Sequence, residues 1–278
     1  MNPRELILSA AGRFRNAGIP DPENDAALLL SRFTGRRPLD LRLDMDTVLD
    51  PSLISSFESL ASKRLDRIPL QYLLGEAPFY HRVFMVDPRV LIPRPETELL
   101  CEWALELLRD LSAPRVLDLC CGSGCIGLTV KAERPDASVT LSDISAGALE
   151  VASMNAQALS LDVSFQQSDL LDGFPASSFD LILSNPPYIP SGECDSLQPE
   201  VLREPRLALD GGMDGCDLYR RIVCRSADVL APGGRLLMEL GAGEAETVSS
   251  LLSACGYTGI RVRQDLAGIS RMILAALP

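Results

Sequence analysis

The chain has 278 residues, 46% of them hydrophobic, and carries 26 lysines and arginines against 38 aspartates and glutamates for a formal net charge of −12. Two domains fit within that length, and the acidic balance opposes tight, non-specific binding to a phosphate backbone. His81 is the single histidine and the eight cysteines, including adjacent Cys120-Cys121, lack paired metal-ligand spacing, so neither a histidine triad nor a metal site is expected. No apolar run is long enough to span a bilayer, and Met1-Asn2-Pro3-Arg4-Glu5 lacks the basic-then-apolar order of a secretory signal. The expectation is a cytoplasmic monomer with reduced thiols, no membrane partner and no nucleic-acid partner.

In chain order, Asn2-Pro3, Asp21-Pro22 and Asp50-Pro51 each set an N-cap side chain before a proline whose missing N–H costs nothing at the first helical position. Three helices are predicted there. Their apolar stripes are Leu6, Ala10 and Phe14, then Ala26, Leu29, Leu30 and Phe33, then Ile54, Phe57, Leu60, Ala61 and Leu65. Residues 1–75 read as a small helical domain with no catalytic constellation, suited to an interaction role. Residues 76–94 read as a β-hairpin linker, in which Phe79 to Val86 pairs with Val90-Leu91-Ile92 across a turn near Asp87-Pro88. Pro93-Arg94-Pro95-Glu96-Thr97-Glu98 then enters a helix carrying Leu99, Leu100, Trp103 and Leu107. This stretch is either a helix start with acids placed for the dipole or the edge of a lid, with Arg94, Glu96 and Thr97 as its candidates.

Residues 95–278 carry the pattern of an open α/β sheet. Val116 to Leu119 is a strand that runs into Cys120-Cys121-Gly122-Ser123-Gly124 and a helix from Cys125. Glycines 122, 124 and 127 complete a G-x-G-x-x-G pattern in the strand-loop-helix setting that allows a ligand close to backbone N–H groups. A second strand from Ser138 ends at Asp143, whose carboxylate can accept ribose hydroxyls, and a third from Val163 leads to Ser168, Asp169 and Leu170 beside an adenine. Both NAD and S-adenosylmethionine fit these features. Asp118 favours the latter, because a carboxylate before the glycine loop crowds a pyrophosphate but suits an ammonium. A helix through Leu218, Ile222, Val223 and Leu230 is expected to stop at Pro232-Gly233-Gly234 before a strand from Arg235 to Leu240. A helix over Thr247 to Ala254 and two closing strands, Gly259 to Arg263 and Arg271 to Ala275, make an antiparallel edge hairpin on a mostly parallel sheet.

The fourth strand, Phe179 to Leu183, leads into Ser184-Asn185-Pro186-Pro187-Tyr188. Two prolines remove two donors and fix two φ angles, leaving a stiff row of carbonyl acceptors. Asn185 before them and Tyr188 after can hold a planar NH2 group by both hydrogens, with an aromatic face alongside. A carboxamide and an adenine amino group present similar donors, so an adenine-N6 nucleic-acid methyltransferase is an alternative, as is a catalytically silent nucleoside-binding protein.

Arg67-Ile68-Pro69-Leu70-Gln71-Tyr72 with Gly75, Val90 to Glu98, the glycine loop, Ser184 to Tyr188, Glu204-Pro205 and Asp210-Gly211-Gly212-Met213-Asp214-Gly215 together resemble the PrmC/HemK family over nearly the whole chain. The resemblance implies a Rossmann-like S-adenosylmethionine-dependent methyltransferase domain behind a helical domain that docks the substrate. It implies methylation of the side-chain amide (N5) of the glutamine in the Gly-Gly-Gln loop of bacterial class 1 release factors, with S-adenosylhomocysteine as product. Carried over by motif, Cys120, Cys121, Gly122, Ser123, Gly124, Asp143 and Leu170 would contact the cofactor, joined by Asp118, Asp169 and Asn185. Asn185, Pro186, Pro187 and Tyr188 would hold the glutamine, the Asn185 side-chain oxygen and the Pro186 carbonyl each accepting one N–H. The sequence departs from the family where Cys120-Cys121 replaces a usual Gly-Thr, where Glu244 stands for a glutamine, and where Ile269-Ser270 replaces Arg-Asp.

Overall fold

In the computed structural model, which describes residues 1–278, prolines open the first four helices: α1 (Pro3–Asn16), α2 (Pro22–Thr34), α3 (Pro38–Leu43) and α4 (Pro51–Leu65). A fifth, α5 (Leu70–Leu74), starts after Pro69. Asn2 accepts from Glu5 N at 2.8 Å while Glu5 returns a bond to Asn2 N at 2.9 Å, a reciprocal cap. Asp50 accepts from Ser52 N at 2.7 Å. Asp21 makes no cap bond, because its ψ of 66° lies outside the extended range that aims a capping side chain. The short helices α3 and α5 were not expected; each spans only a turn or so and leaves little periodicity to read. Phe33 also departs from its predicted stripe, remaining 37% exposed. Leu6, Phe14, Leu29, Leu30, Phe57 and Ala61 instead form the core with Leu41 and Leu70.

The chain divides into two compact units, Met1–Glu76 with Gln198–Arg203, and Ala77–Leu197 with Glu204–Pro278. The distant strip in the first unit has a clear chemical reason. Arg64, with a side chain only 5% exposed, donates to Asp25 at 2.8 Å and to Glu200 at 2.9 Å. Arg67 forks onto the same Glu200 at 2.8 and 2.6 Å. Burial works to raise the Glu200 carboxyl, but the two guanidiniums overcome it and hold it down to about 2.

A two-stranded hairpin follows, β1 (Glu76–Phe79) and β2 (Arg82–Met85). It turns at Tyr80 and His81, both left-handed at φ 45° and 61°, and not near Asp87-Pro88. The Phe79 and Phe84 rings meet edge to face at 5.9 Å, which favours this register, while Val90 to Ile92 forms no strand. Asp87 turns back onto Arg89 N at 3.0 Å.

There follow α6 (Pro95–Leu108), β3 (Arg115–Leu119), α7 (Cys125–Glu133), β4 (Ser138–Asp143), α8 (Ala146–Ala158), β5 (Ser164–Gln167) and β6 (Phe179–Ser184). The chain closes with α9 (Asp217–Val229), β7 (Leu230–Glu239), α10 (Ala245–Ala254), β8 (Thr258–Gln264) and β9 (Ser270–Ala276). Seven strands form one sheet in the order β5-β4-β3-β6-β7-β9-β8, parallel through β7 and antiparallel at β9 and β8. Alternation sorts the side chains. Val116, Leu141 and Leu183 pack with Trp103, Leu128 and Ala152 from α6, α7 and α8, whereas Leu117, Ile182 and Met238 pack with Tyr219, Ile222 and Leu252 from α9 and α10. Leu230 belongs to β7 and not to the preceding helix. Pro232-Gly233-Gly234 is absorbed as an irregularity, the pairing stepping from Phe179↔Leu230 to Leu181↔Arg235.

Replacing Glu200 with glutamine strips Arg64 and Arg67 of a shared charge and should cost about 2–3 kcal/mol in urea unfolding near neutral pH. Because the native Glu200 carboxyl is depressed from 4.5 to about 2, the gap between wild type and variant should persist above pH 4.5 and close as pH falls through 2.

Candidate active site

Parallel pairing sets Leu119 beside Ser142 and Ser184, so the residues that follow β3, β4 and β6 emerge at one edge of the sheet. A cavity of about 220 Å³ lies there, walled by Cys120, Cys121, Gly122, Ser123, Asp143, Asp169, Leu170, Asn185 and Pro187, with Arg94 and Thr97 on another side. No helix is long and apolar enough to cross a membrane.

The glycine loop turns through left-handed backbone at Cys120 (φ 60°), Gly122 (φ 53°) and Gly124 (φ 78°). A glycine at position 120 would adopt this backbone without the strain a side chain brings there. Gly124 caps α7 and does not reach the cavity wall. A Cβ on Gly127 would fall 2.3 Å from Leu141 Cδ2 and 2.9 Å from Asp118 Cβ, so only glycine lets the helix sit this close to the strands. Asp118 is wholly buried beneath the loop. Its Oδ2 accepts from Gly127 N at 2.8 Å, its Oδ1 has no partner, and burial pushes its carboxyl up to about 7. The sequence led us to expect Asp118 facing a ligand; here it braces the start of α7 from below the wall. Burial also pushes the thiols of Cys120 and Cys125 up to about 12, so they stay protonated at neutral pH and serve as wall, not as nucleophiles.

Asp143 does face the cavity. One oxygen accepts from Gly122 N and the other from Ser145 N, both at 2.9 Å, and burial raises the carboxyl against the pull of these amides. Each oxygen still has a lone pair to offer a hydroxyl. Asp169 holds Arg221 at 2.8 Å, and Leu170 turns onto the wall through left-handed backbone at φ 52°. Buried Asn155 ties the hairpin to the loop, donating to Met85 O at 3.0 Å and Ser123 O at 2.9 Å.

The loop after β6 is held from behind. Ser184 Oγ donates to Leu119 O at 2.8 Å, Ile189 N to Leu209 O at 2.9 Å, and Gly211 N to Ile189 O at 2.8 Å. A Cβ on Gly211 would lie 2.7 Å from Tyr188 Cα, and one on Gly215 would lie 2.5 Å from Tyr188 O, so residues 210–215 press directly on the loop. Of this loop Asn185 and Pro187 line the cavity, whereas buried Pro186 and half-buried Tyr188 do not. Asn185 Nδ2 lies 3.4 Å from Thr97 Oγ1, which donates to Glu239 Oε2 at 2.6 Å. Sequence reasoning missed Glu239. Its one signal was an acid ending the apolar run Leu236-Leu237-Met238. Of the expected lid-edge residues, Thr97 touches Asn185 and Arg94 pairs with Glu204, whose other oxygen accepts from Ile92 N at 3.0 Å; Glu96 is exposed and off the wall.

Residues 5–75 match the PrmC N-terminal domain model and residues 97–212 the methyltransferase small domain model. A release factor glutamine methyltransferase of Deinococcus radiodurans is 40% identical over 99% of this chain and 98% of its own length. One from Geobacter sulfurreducens is 39% identical over 97% and 95%, and one from Cereibacter sphaeroides 41% identical over 100% and 99%. The chain belongs to the release factor glutamine methyltransferase family. Among solved structures, the hMettl16 catalytic domain in complex with MAT2A 3'UTR hairpin 6 matches with a TM-score of 0.57 at 14% identity, covering 80% of this chain and 92% of that one. The T. thermophilus 16S rRNA N2 G1207 methyltransferase in complex with AdoMet and guanosine matches at 0.54 and 20% identity, covering 73% and 50%. These two likenesses show the fold, a methyltransferase sheet with an antiparallel edge, as the sequence led us to expect.

In this family member the Gly211 contact is open to test. Gly211→Ala should lower stability by about 1–3 kcal/mol, because its Cβ would strike backbone that cannot swing aside. A thermal melt unchanged from wild type would mean that the 210–215 segment can yield without cost.

Proposed function

We propose that this protein transfers a methyl group from S-adenosylmethionine to the side-chain amide nitrogen of the glutamine in the Gly-Gly-Gln motif of bacterial class 1 release factors. The observation that carries the reading is Asn185, set at the end of β6 on the cavity wall and followed by two prolines. The names of the curated relatives support it.

The residues present fit the cofactor. Asp143 offers carboxylate acceptors for ribose hydroxyls, Leu170 an apolar contact for the adenine, and Cys120 to Ser123 a close backbone approach. Asp118, off the wall, would act on it only at range, through its charge. When bound, S-adenosylmethionine supplies a methyl group activated by the adjacent sulfonium charge.

An amide nitrogen is a poor nucleophile, because its lone pair is delocalised into the carbonyl. Orientation must therefore do much of the work. The Asn185 side-chain oxygen, on the wall, and the carbonyl of Pro186, next along the chain, accept the two N–H bonds and aim the nitrogen at the cofactor. Burial pushes the Tyr188 phenol up to about 12, so it stays neutral throughout. The helical unit, which carries no cluster of catalytic groups, supplies the surface that docks the release factor.

The test is transfer of labelled methyl to a purified release factor, beside a copy with the Gly-Gly-Gln glutamine changed and beside duplex DNA, the site located by mass spectrometry. Label on that glutamine alone is expected. Label on adenine would overturn the choice of substrate. Asn185→Ala should cut turnover by about a hundredfold or more while leaving cofactor affinity within a few-fold of wild type, as calorimetry would show.

A further inference from the structure

A carboxamide has two chemically opposite ends of nearly equal size. Only its oxygen can accept from a substrate N–H; turned by half a rotation, Asn185 would meet the substrate NH2 with an NH2 of its own. Something must therefore choose the end. Resting on the reading of Asn185 as the group that holds the substrate amide, we infer that Thr97 and Glu239 are positioning residues that fix the Asn185 side chain with its oxygen toward the substrate.

The polarity follows from counting protons. An ionised carboxylate only accepts, so the single hydroxyl proton of Thr97 is committed to Glu239 at 2.6 Å, in a setting where both residues are 3% exposed. Having given its proton, Thr97 Oγ1 has only lone pairs left for Asn185, and it faces Nδ2 at 3.4 Å. That distance is long for a hydrogen bond, so the contact selects an orientation more than it binds. Oδ1 is then the end left free.

The charged and titratable groups facing Glu239 come from several elements. Glu96 and Cys101 come from α6, Cys125 from α7, Tyr188 from the loop after β6, Tyr219 from α9, and Arg271, itself 3.1 Å from Asp265, from β9. Burial outweighs the Thr97 bond and the charge of Arg271, and with Glu96 it pushes the carboxyl up to about 7. Above that pH the chain of donors runs from Asn185 to Thr97 to Glu239. Below it, the protonated acid can donate to Thr97, the Thr97 proton turns to Asn185, and Asn185 must spend its oxygen there. Methyl transfer should therefore rise with pH through about 7 and level off above.

The experiment is single-turnover methyl transfer to the release factor between pH 6 and 9 with cofactor in excess, for wild type, Thr97→Val, Thr97→Ser and Glu239→Gln, with cofactor affinity by calorimetry. Thr97→Val should lose about tenfold or more in rate with cofactor affinity unchanged, and Thr97→Ser, which keeps the hydroxyl, should recover most of it. Glu239→Gln should be slow and flat across this pH range. Should Glu239→Gln fail to fold, the Thr97 pair decides alone. Wild-type rate in Thr97→Val, or a wild-type pH rise in Glu239→Gln, overturns the inference while leaving the function standing. No transfer by wild type to the release factor glutamine overturns the functional reading, and this inference with it.

Discussion

The site depends first on strand register. Leu119 pairs with Ser142 on one side and Ser184 on the other, and Ser184 Oγ closes a bond onto Leu119 O at 2.8 Å. A slip of one residue would turn every side chain of β6 to the opposite face and carry Asn185 away from Asp143 and the glycine loop. Val116 and Leu117, Leu183 and Ile182, sorted onto opposite faces into separate clusters, make that slip expensive. The chemistry at the edge is thus secured by apolar side chains that never touch it.

Around that frame the protein buries two acids, Asp118 and Glu239, and half-buries a third, Glu244. Burial pushes the carboxyls of Asp118, Glu239 and Glu244 each up to about 7. A raised acid favours the folded chain while protonated, so this contribution is complete below the ordinary carboxyl range and is lost as pH rises through about 7. At neutral pH each acid costs stability, and each holds a neighbouring element in place. Asp118 holds Gly127 N, Glu244 holds Gly241 N, and Glu239 holds Thr97. Stability is spent here on geometry.

Much of this was legible in the sequence because local rules carried it. Proline at the first helical position marked α1, α2 and α4, period-two apolar runs marked the sheet, and glycines 122, 124 and 127 marked the strand-loop-helix unit at the cavity. What could not be read depends on contacts distant in sequence. Glu239 meets Thr97 across 142 positions and Glu200 meets Arg67 across 133, and no local pattern announces either partner. The hairpin turn was misplaced because Tyr80 and His81 adopt left-handed backbone without the glycine or asparagine that usually signals it. Asp118 was expected at the ligand because strand position gives a side chain's place along the chain, not its depth.

The most direct measurement is a high-resolution structure of the protein with S-adenosylhomocysteine and a Gly-Gly-Gln peptide. The glutamine amide nitrogen is expected about 2.8–3.2 Å from both Asn185 Oδ1 and the Pro186 carbonyl, with Asn185 Nδ2 turned to Thr97. A glutamine amide seated away from Asn185, or one meeting Asn185 through Nδ2, would contradict it.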